Sequence, residues 1–190
     1  AQAFRTCRRL WNDGMEARTR ARIAVGLGDM LVALANRRPE SAIELEEAVA
    51  AYADAITAAV AAQLDNGRQI ITLGGDHSIT FPILRAFRAQ HDNLTVVHID
   101  AHPDLYDDLD GNPLSHASPF ARALEAGCMT TLVQLGIRTA TPHQREQAAK
   151  WGVTMLSSRQ LGEFDPSTLS GPIYLTIDLD GLDPSVAPGV

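Results

Sequence analysis

The sequence predicts an α/β domain built on a parallel sheet, and three observations support this fold class. Short apolar runs at 70–73, 94–99, 131–135 and 173–177 are typical of buried strands, and amphipathic stretches between them are typical of helices. No hairpin signal joins consecutive runs, which favours parallel pairing with helices on both faces. Acidic and imidazole side chains follow three of the runs, at the edge where parallel sheets build their sites. We expect residues 1–190 to form one domain.

The first seventy residues predict helices before the first strand. Residues 1–35 carry six arginines, interpreted as a helix face against an acidic body, and 25–30 suit a short strand and turn. Residues 41–44 have capping-box form and open an apolar stripe at helical spacing, which predicts one long helix that ends at Asn66-Gly67. The stripe is interpreted as core packing.

The elements after the first strand are bounded by clear start and stop signals. We expect a helix from about Thr80, a strand over 94–99 and a polar loop over 105–118. The later helices should end at Gly127 and Gly152, and 173–177 should form the last strand.

Composition limits the partners and the cell compartment. The chain has 190 residues, 45% of them hydrophobic and 21% charged, as in ordinary globular proteins. A net charge of -7 argues against a nucleic-acid surface and suits a cationic small molecule. Cys7 and Cys128 have no metal-binding spacing and are expected as free thiols of a reducing cytosol. Without a membrane-length apolar run, we expect a cytoplasmic protein with no membrane partner.

Six side chains have the types and spacings of metal ligands. Residues 100–104 (Asp-Ala-His-Pro-Asp) place three donors two residues apart, which converge if the strand geometry persists. A second strand runs into two aspartates with the same spacing, and the run at 70–73 leads to a histidine. The candidate ligands are His77, Asp100, His102, Asp104, Asp178 and Asp180.

The chemistry of this set points to divalent cations. Close carboxylates repel one another unless cations lie among them or some are protonated. A set of carboxylates with imidazoles is more typical of a manganese site than of a closed structural zinc site, which more often uses thiolates. The donors are numerous enough for two ions that activate a water molecule. Each cluster alone would suit a solvated loop acid or a helix cap, but three clusters after three strands favour metal.

His116 follows in the loop and is a candidate for proton transfer. His98 is interpreted as a satisfied core histidine, with support of the ligands as the alternative.

Residues 74–78, 100–104 and 178–184, in this order, closely resemble the motifs of the ureohydrolase family of arginases and agmatinases. The resemblance implies a three-layer αβα fold and hydrolysis of a small cationic guanidino substrate to urea and an amine. It also implies two Mn²⁺ ions, with nickel or cobalt as alternatives, and a homo-oligomer, either a trimer or a hexamer.

The same resemblance assigns roles residue by residue. One ion would be held by His77, Asp100, Asp104 and Asp178. The other would be held by Asp100, His102, Asp178 and Asp180, so that Asp100 and Asp178 bridge. Asp104 would also hydrogen-bond to the activated water, and His116 would shuttle protons.

The motifs leave several functions open. Residues 134–139, 171–178 and 187–189 resemble agmatinases, whereas 106–120 resembles plant and microbial arginases. We expect agmatine to be hydrolysed to putrescine, with arginine to ornithine or another guanidino acid as the alternative. A single-zinc deacetylase on a similar fold is a further alternative. The family's sequences extend beyond both ends, so we expect a truncated domain, and an inactive metal-binding fragment or pseudoenzyme is the non-enzymatic alternative.

Overall fold

A computed structural model describes residues 42–188, with side chains from residue 46 onward. Contacts divide the chain into two compact units, 1–73 and 74–190. The single-domain organisation stays a prediction, and the basic segment with its strand at 25–30 lies outside the described residues. Across the described part of the chain, no helix has the length and apolar character needed to cross a membrane.

The described part of the first unit is the predicted long helix. Helix α1 spans Ala42–Leu64 and is followed by a turn in which Gly67 takes φ +68°, as a helix stop requires. Val60 and Leu64 are buried, whereas Val49 is 38% exposed. The apolar stripe therefore packs at its carboxyl end, and small alanines supply much of the remaining buried surface.

The predicted strand at 70–73 is wrong. These residues form no strand, and Ile71 and Leu73 are 91% and 93% exposed. A strand exists only where a neighbour accepts and donates its backbone hydrogen bonds. Residues 70–73 pair with no strand among residues 42–188, so β propensity alone does not order them.

The second unit contains a parallel sheet flanked by helices, which confirms the predicted fold class. Its strands are β1 (Thr95–Ile99), β2 (Thr131–Ile137), β3 (Thr154–Ser157) and β4 (Ile173–Ile177). Its helices are α2 (Thr80–Arg88), α3 (Pro119–Glu125) and α4 (Pro142–Trp151). Short 3₁₀ helices span His77–Ile79, Ser158–Glu163, Pro166–Thr168 and Leu179–Gly181. Among the described residues the strand order is β3-β2-β1-β4, all parallel.

Local sequence signals account for the helix ends. Thr141 caps α4 with a reciprocal capping box to Gln144, and Gly152 ends that helix at φ +66°. Proline occupies the first turn of α3, where its missing N–H costs nothing. These boundaries match the sequence prediction closely because each depends on neighbouring residues only.

The two faces of the sheet are covered differently. Leu84 of α2 and Phe120 of α3 pack on the face that carries Val96 of β1. On the opposite face, Val97 lies in a smaller cluster to which the β3–β4 connection contributes Phe164. The chain advances from β1 to β3 and then returns to the far side of β1. Because crossovers between parallel strands strongly prefer one hand, such a reversal is expected to place the last connection on the opposite face.

Candidate metal centre

Two ligand turns lie side by side because β1 and β4 are neighbouring parallel strands that end together. Ile99 pairs in register with Ile177, so the turns that begin at Asp100 and Asp178 leave the same edge. The condition set for convergence along residues 100–104, a strand geometry that persists beyond the apolar run, is not met. The strand ends at Ile99, and Asp104 takes φ +51°. The donors converge through a turn rather than along an extended backbone.

His77 lies at the centre of the first cluster. Its Nδ1 atom is 3.2 Å from Asp100 Oδ2, 3.2 Å from Asp104 Oδ2 and 3.6 Å from Asp178 Oδ2. The histidine reaches this position from the start of a 3₁₀ helix that Asp76 caps by accepting from the Ser78 amide. One imidazole nitrogen thus faces three carboxylates from both ligand turns.

The other nitrogen of His77 has a defined partner. Nε2 lies 2.9 Å from the hydroxyl of Thr176 on β4. Nδ1 is buried and has no hydrogen-bond partner within the described range. When Nε2 carries the single proton of a neutral imidazole, Nδ1 presents a lone pair to the three carboxylates, and either a second proton or a cation must lie between them. The orphaned nitrogen therefore fits a metal ligand.

The second cluster shares Asp100 with the first. His102 Nδ1 is 2.9 Å from Asp180 Oδ2 and 3.4 Å from Asp100 Oδ1. Asp180 also accepts from the Ala101 amide at 3.1 Å, and Asp178 accepts from the Asp180 amide at 3.1 Å. The hydrogen bond from Ala101 joins the two turns, and the one to Asp178 lies within the second turn. Asp100 lies between the imidazoles of His77 and His102.

The charges in the clusters perturb one another in opposite directions. Burial lowers the pKa of His77, but the Asp100 and Asp104 carboxylates outweigh it and raise that pKa to about 9. Burial raises the pKa of Asp100, yet its close contacts with the His77 and His98 imidazoles hold that pKa well below its usual range. Burial, followed by the negative charge of Asp100, raises the pKa of Asp180 despite its hydrogen bond from Ala101. A cation between the turns would relieve this repulsion.

The geometry groups the donors as two overlapping sets. Within each set, one donor atom per residue lies within 4.8 Å of all the others. One set is His77, His98, Asp100 and Asp104, and the other is Asp100, His102 and Asp180. Oxygen-rich donors with imidazole fit a divalent cation such as manganese. The six predicted ligands are thus brought together, with Asp178 beside His77.

His116 lies in the loop that follows the turn of residues 100–104. Its side chain is exposed. The pKa of Asp76 is lowered mainly by the hydrogen bond from Ser78, and His116 contributes through its charge. The loop is held to the preceding chain by a backbone hydrogen bond, in which the Tyr106 amide donates to the Ala117 carbonyl at 3.0 Å. His116 therefore lies near the residue that precedes His77, open to solvent.

Sequence reasoning missed three polar residues that support the ligands. Gln134 and Thr176 occupy β2 and β4 in register with His98, and Arg138 donates to the Asp180 carbonyl at 2.6 Å. A polar residue inside an otherwise apolar strand was the available signal for Gln134 and Thr176. Arg138 gives no such signal, because its contact depends on how the end of β2 approaches the β4 turn.

The fold and the site define a parallel-sheet α/β protein with a histidine–aspartate cluster, able to hold a metal ion, at the carboxyl edge of its strands. The arginase family profile matches residues 4–190. The chain belongs to the arginase family, as the motifs predicted.

Individual relatives agree with this membership. The mitochondrial arginase of Medicago truncatula is 47% identical over 129 residues, which cover 63% of this chain and 38% of that protein. The mitochondrial agmatinase of Gallus gallus is 36% identical over 132 residues, 63% of this chain and 39% of that protein. The solved arginase from Medicago truncatula superimposes with a TM-score of 0.68 at 42% identity, over 76% of this chain and 51% of that structure. The chain thus spans well under two thirds of the relatives' length.

Proposed function

We propose that this chain forms the metal centre of a ureohydrolase that cleaves a guanidino compound to urea and an amine. The single observation that carries the proposal is the buried Nδ1 of His77, which faces three carboxylates at 3.2–3.6 Å without a hydrogen-bond partner in the described range. Membership of the arginase family supports the same reaction class.

The donors would hold two divalent ions, with manganese as the first choice. His77, Asp100, Asp104 and Asp178 would hold one ion. Asp100, His102, Asp178 and Asp180 would hold the other. When bound, such ions lower the pKa of water and polarise the group under attack.

The chain's own residues supply positioning and proton transfer. Asp104 lies within the first cluster and accepts hydrogen bonds, so it can orient the attacking water. His116 is exposed and its charge acts on Asp76, the neighbour of His77, so it can deliver a proton to the departing amine from solvent. The carboxylates and the net charge of -7 favour approach of a guanidinium cation.

The substrate has two candidates. The agmatinase-like motifs favour agmatine, whereas the higher identity to a plant arginase than to an agmatinase, 47% against 36%, favours arginine. The aligned part covers only 38% of the arginase and 39% of the agmatinase, so the difference in identity does not choose between the two substrates. The predicted cytoplasmic location and the trimeric or hexameric assembly stay predictions.

The test is urea release from manganese-loaded protein supplied separately with agmatine, arginine, guanidinobutyrate and guanidine. We expect release from one of the first two, and its loss in Asp178→Asn, which also loses metal. Urea formation at an unchanged rate by Asp178→Asn would refute the assignment. Metal binding without urea from any substrate would instead favour a metal-binding fragment or pseudoenzyme. A single zinc per chain with amide-cleaving activity would favour a deacetylase.

A further inference from the structure

A row of three polar side chains crosses the sheet shortly before the ligand turns. His98 on β1 is paired in register with Gln134 on β2 and with Thr176 on β4. His98 and Gln134 have no exposed surface, and buried polar groups are costly unless they are hydrogen-bonded. Gln134 contacts His98, and His98 in turn contacts Asp100.

Gln134 holds two parts of the chain at once. Its Nε2 atom donates to the Pro103 carbonyl at 2.6 Å and lies 3.1 Å from His98 Nδ1. The reversed amide would bring two acceptor oxygens into contact at Pro103, so the nitrogen must occupy this position. Since an amide carries two N–H bonds, both contacts are made together, and His98 Nδ1 is the acceptor.

This acceptor role determines where the His98 proton lies. A neutral imidazole carries one proton, and with Nδ1 accepting, the proton is on Nε2. His98 Nε2 lies 2.8 Å from Asp100 Oδ2 and donates to it. The other oxygen of Asp100 accepts from the His102 amide at 2.5 Å. Both oxygens of Asp100 are therefore held, one from each side.

We propose that Gln134 and His98 are positioning residues for Asp100, the carboxylate shared by the two candidate metal sites. Gln134 sets the tautomer of His98, and His98 fixes the rotation of the Asp100 carboxylate. Phe120, fully buried with its ring centroid 4.2 Å from that of His98, packs against the imidazole. This inference rests on the metal site of the proposed function.

The test compares His98→Gln with His98→Asn in the full chain. The glutamine amide reaches the place of Nε2 and can still donate to Asp100, whereas asparagine reaches only the place of Nδ1. Both variants bury an amide, so packing loss is similar. We expect manganese affinity near that of the unaltered chain for His98→Gln, and affinity lower by about 10- to 100-fold for His98→Asn. The cobalt(II) absorption spectrum should change in the asparagine variant only.

A second readout needs no metal. Imidazole nitrogen NMR of the metal-free chain should show His98 with its proton on Nε2, identified by the signal that His98→Gln removes, and Gln134→Leu should abolish this preference. A proton on Nδ1, or equal manganese affinities for the two His98 variants, would overturn the inference while the proposed function stands. Absence of manganese binding by the unaltered chain would overturn both.

Discussion

Manganese binding should displace a proton from His77, and this makes the affinity strongly dependent on pH. The Asp100 and Asp104 carboxylates, acting against burial, raise the pKa of the metal-free imidazole from 6.5 to about 9. A metal ion needs the unprotonated nitrogen, so its affinity follows the unprotonated fraction of His77. That fraction rises from about 1% at pH 7.0 to about 24% at pH 8.5, so the affinity should rise by about 25-fold.

The assay is isothermal titration of the chain with Mn²⁺ in two buffers of different ionisation enthalpy. The difference in heat gives the number of protons released, and we expect about one per first ion at pH 7. His77→Asn should lose most of the pH dependence, whereas His102→Asn should bind more weakly and keep it. Binding that is independent of pH from 7.0 to 8.5, without proton release, would refute the reasoning.

Protonation of His77 should also make the stability of the metal-free chain depend on pH. The folded pKa of His77 lies above its unfolded value, so its contribution is fully present below pH 6.5 and is lost as pH rises through about 9. The difference between 6.5 and about 9 corresponds to about 3 kcal/mol. Urea denaturation should show decreasing stability across this window, and a curve equally steep in His77→Asn would contradict the assignment.

Three further substitutions test the packing and the loop. A Cβ at Gly181 would lie 3.0 Å from the Asp100 amide nitrogen, so Gly181→Ala should separate the ligand turns and weaken manganese binding by about tenfold. Gly162→Ala meets nothing within 4 Å and is its control; equal affinities would contradict the close approach. Phe120→Ala should cost about 3–5 kcal/mol in denaturant unfolding, because the ring is fully buried and contacts two histidines, and a loss below 1 kcal/mol would be too small for such a cavity. His116→Asn should retain metal content and lower the rate of urea release, and an unchanged rate across pH would exclude its proton-transfer role.

The grouping of the candidate ligands was predictable where the evidence was local. Asp100 and Asp178 each follow an apolar strand, and parallel pairing of the two strands brings them to one edge. The helix ends at Gly127 and Gly152 were predictable for the same reason, because each glycine takes positive φ directly after its helix. Such signals need no knowledge of the rest of the chain.

Long-range pairing was harder to predict. Residues 70–73 have strand composition but no paired neighbour among residues 42–188, so the β propensity was misleading. The turn at Asp104 replaces the predicted extended backbone because its positive φ directs the carboxylate back toward His77. Gln134 could be noticed as a polar residue in an apolar strand, but its role becomes visible only through its contact with His98.

The most direct test of the metal centre is the manganese content of the chain after equilibrium dialysis, measured by atomic emission alongside Asp100→Asn. We expect two Mn²⁺ ions per unaltered chain and the loss of both, or of nearly all binding, in Asp100→Asn, because this carboxylate is shared by both donor sets. Absence of bound manganese, or an equal content in Asp100→Asn, would contradict it.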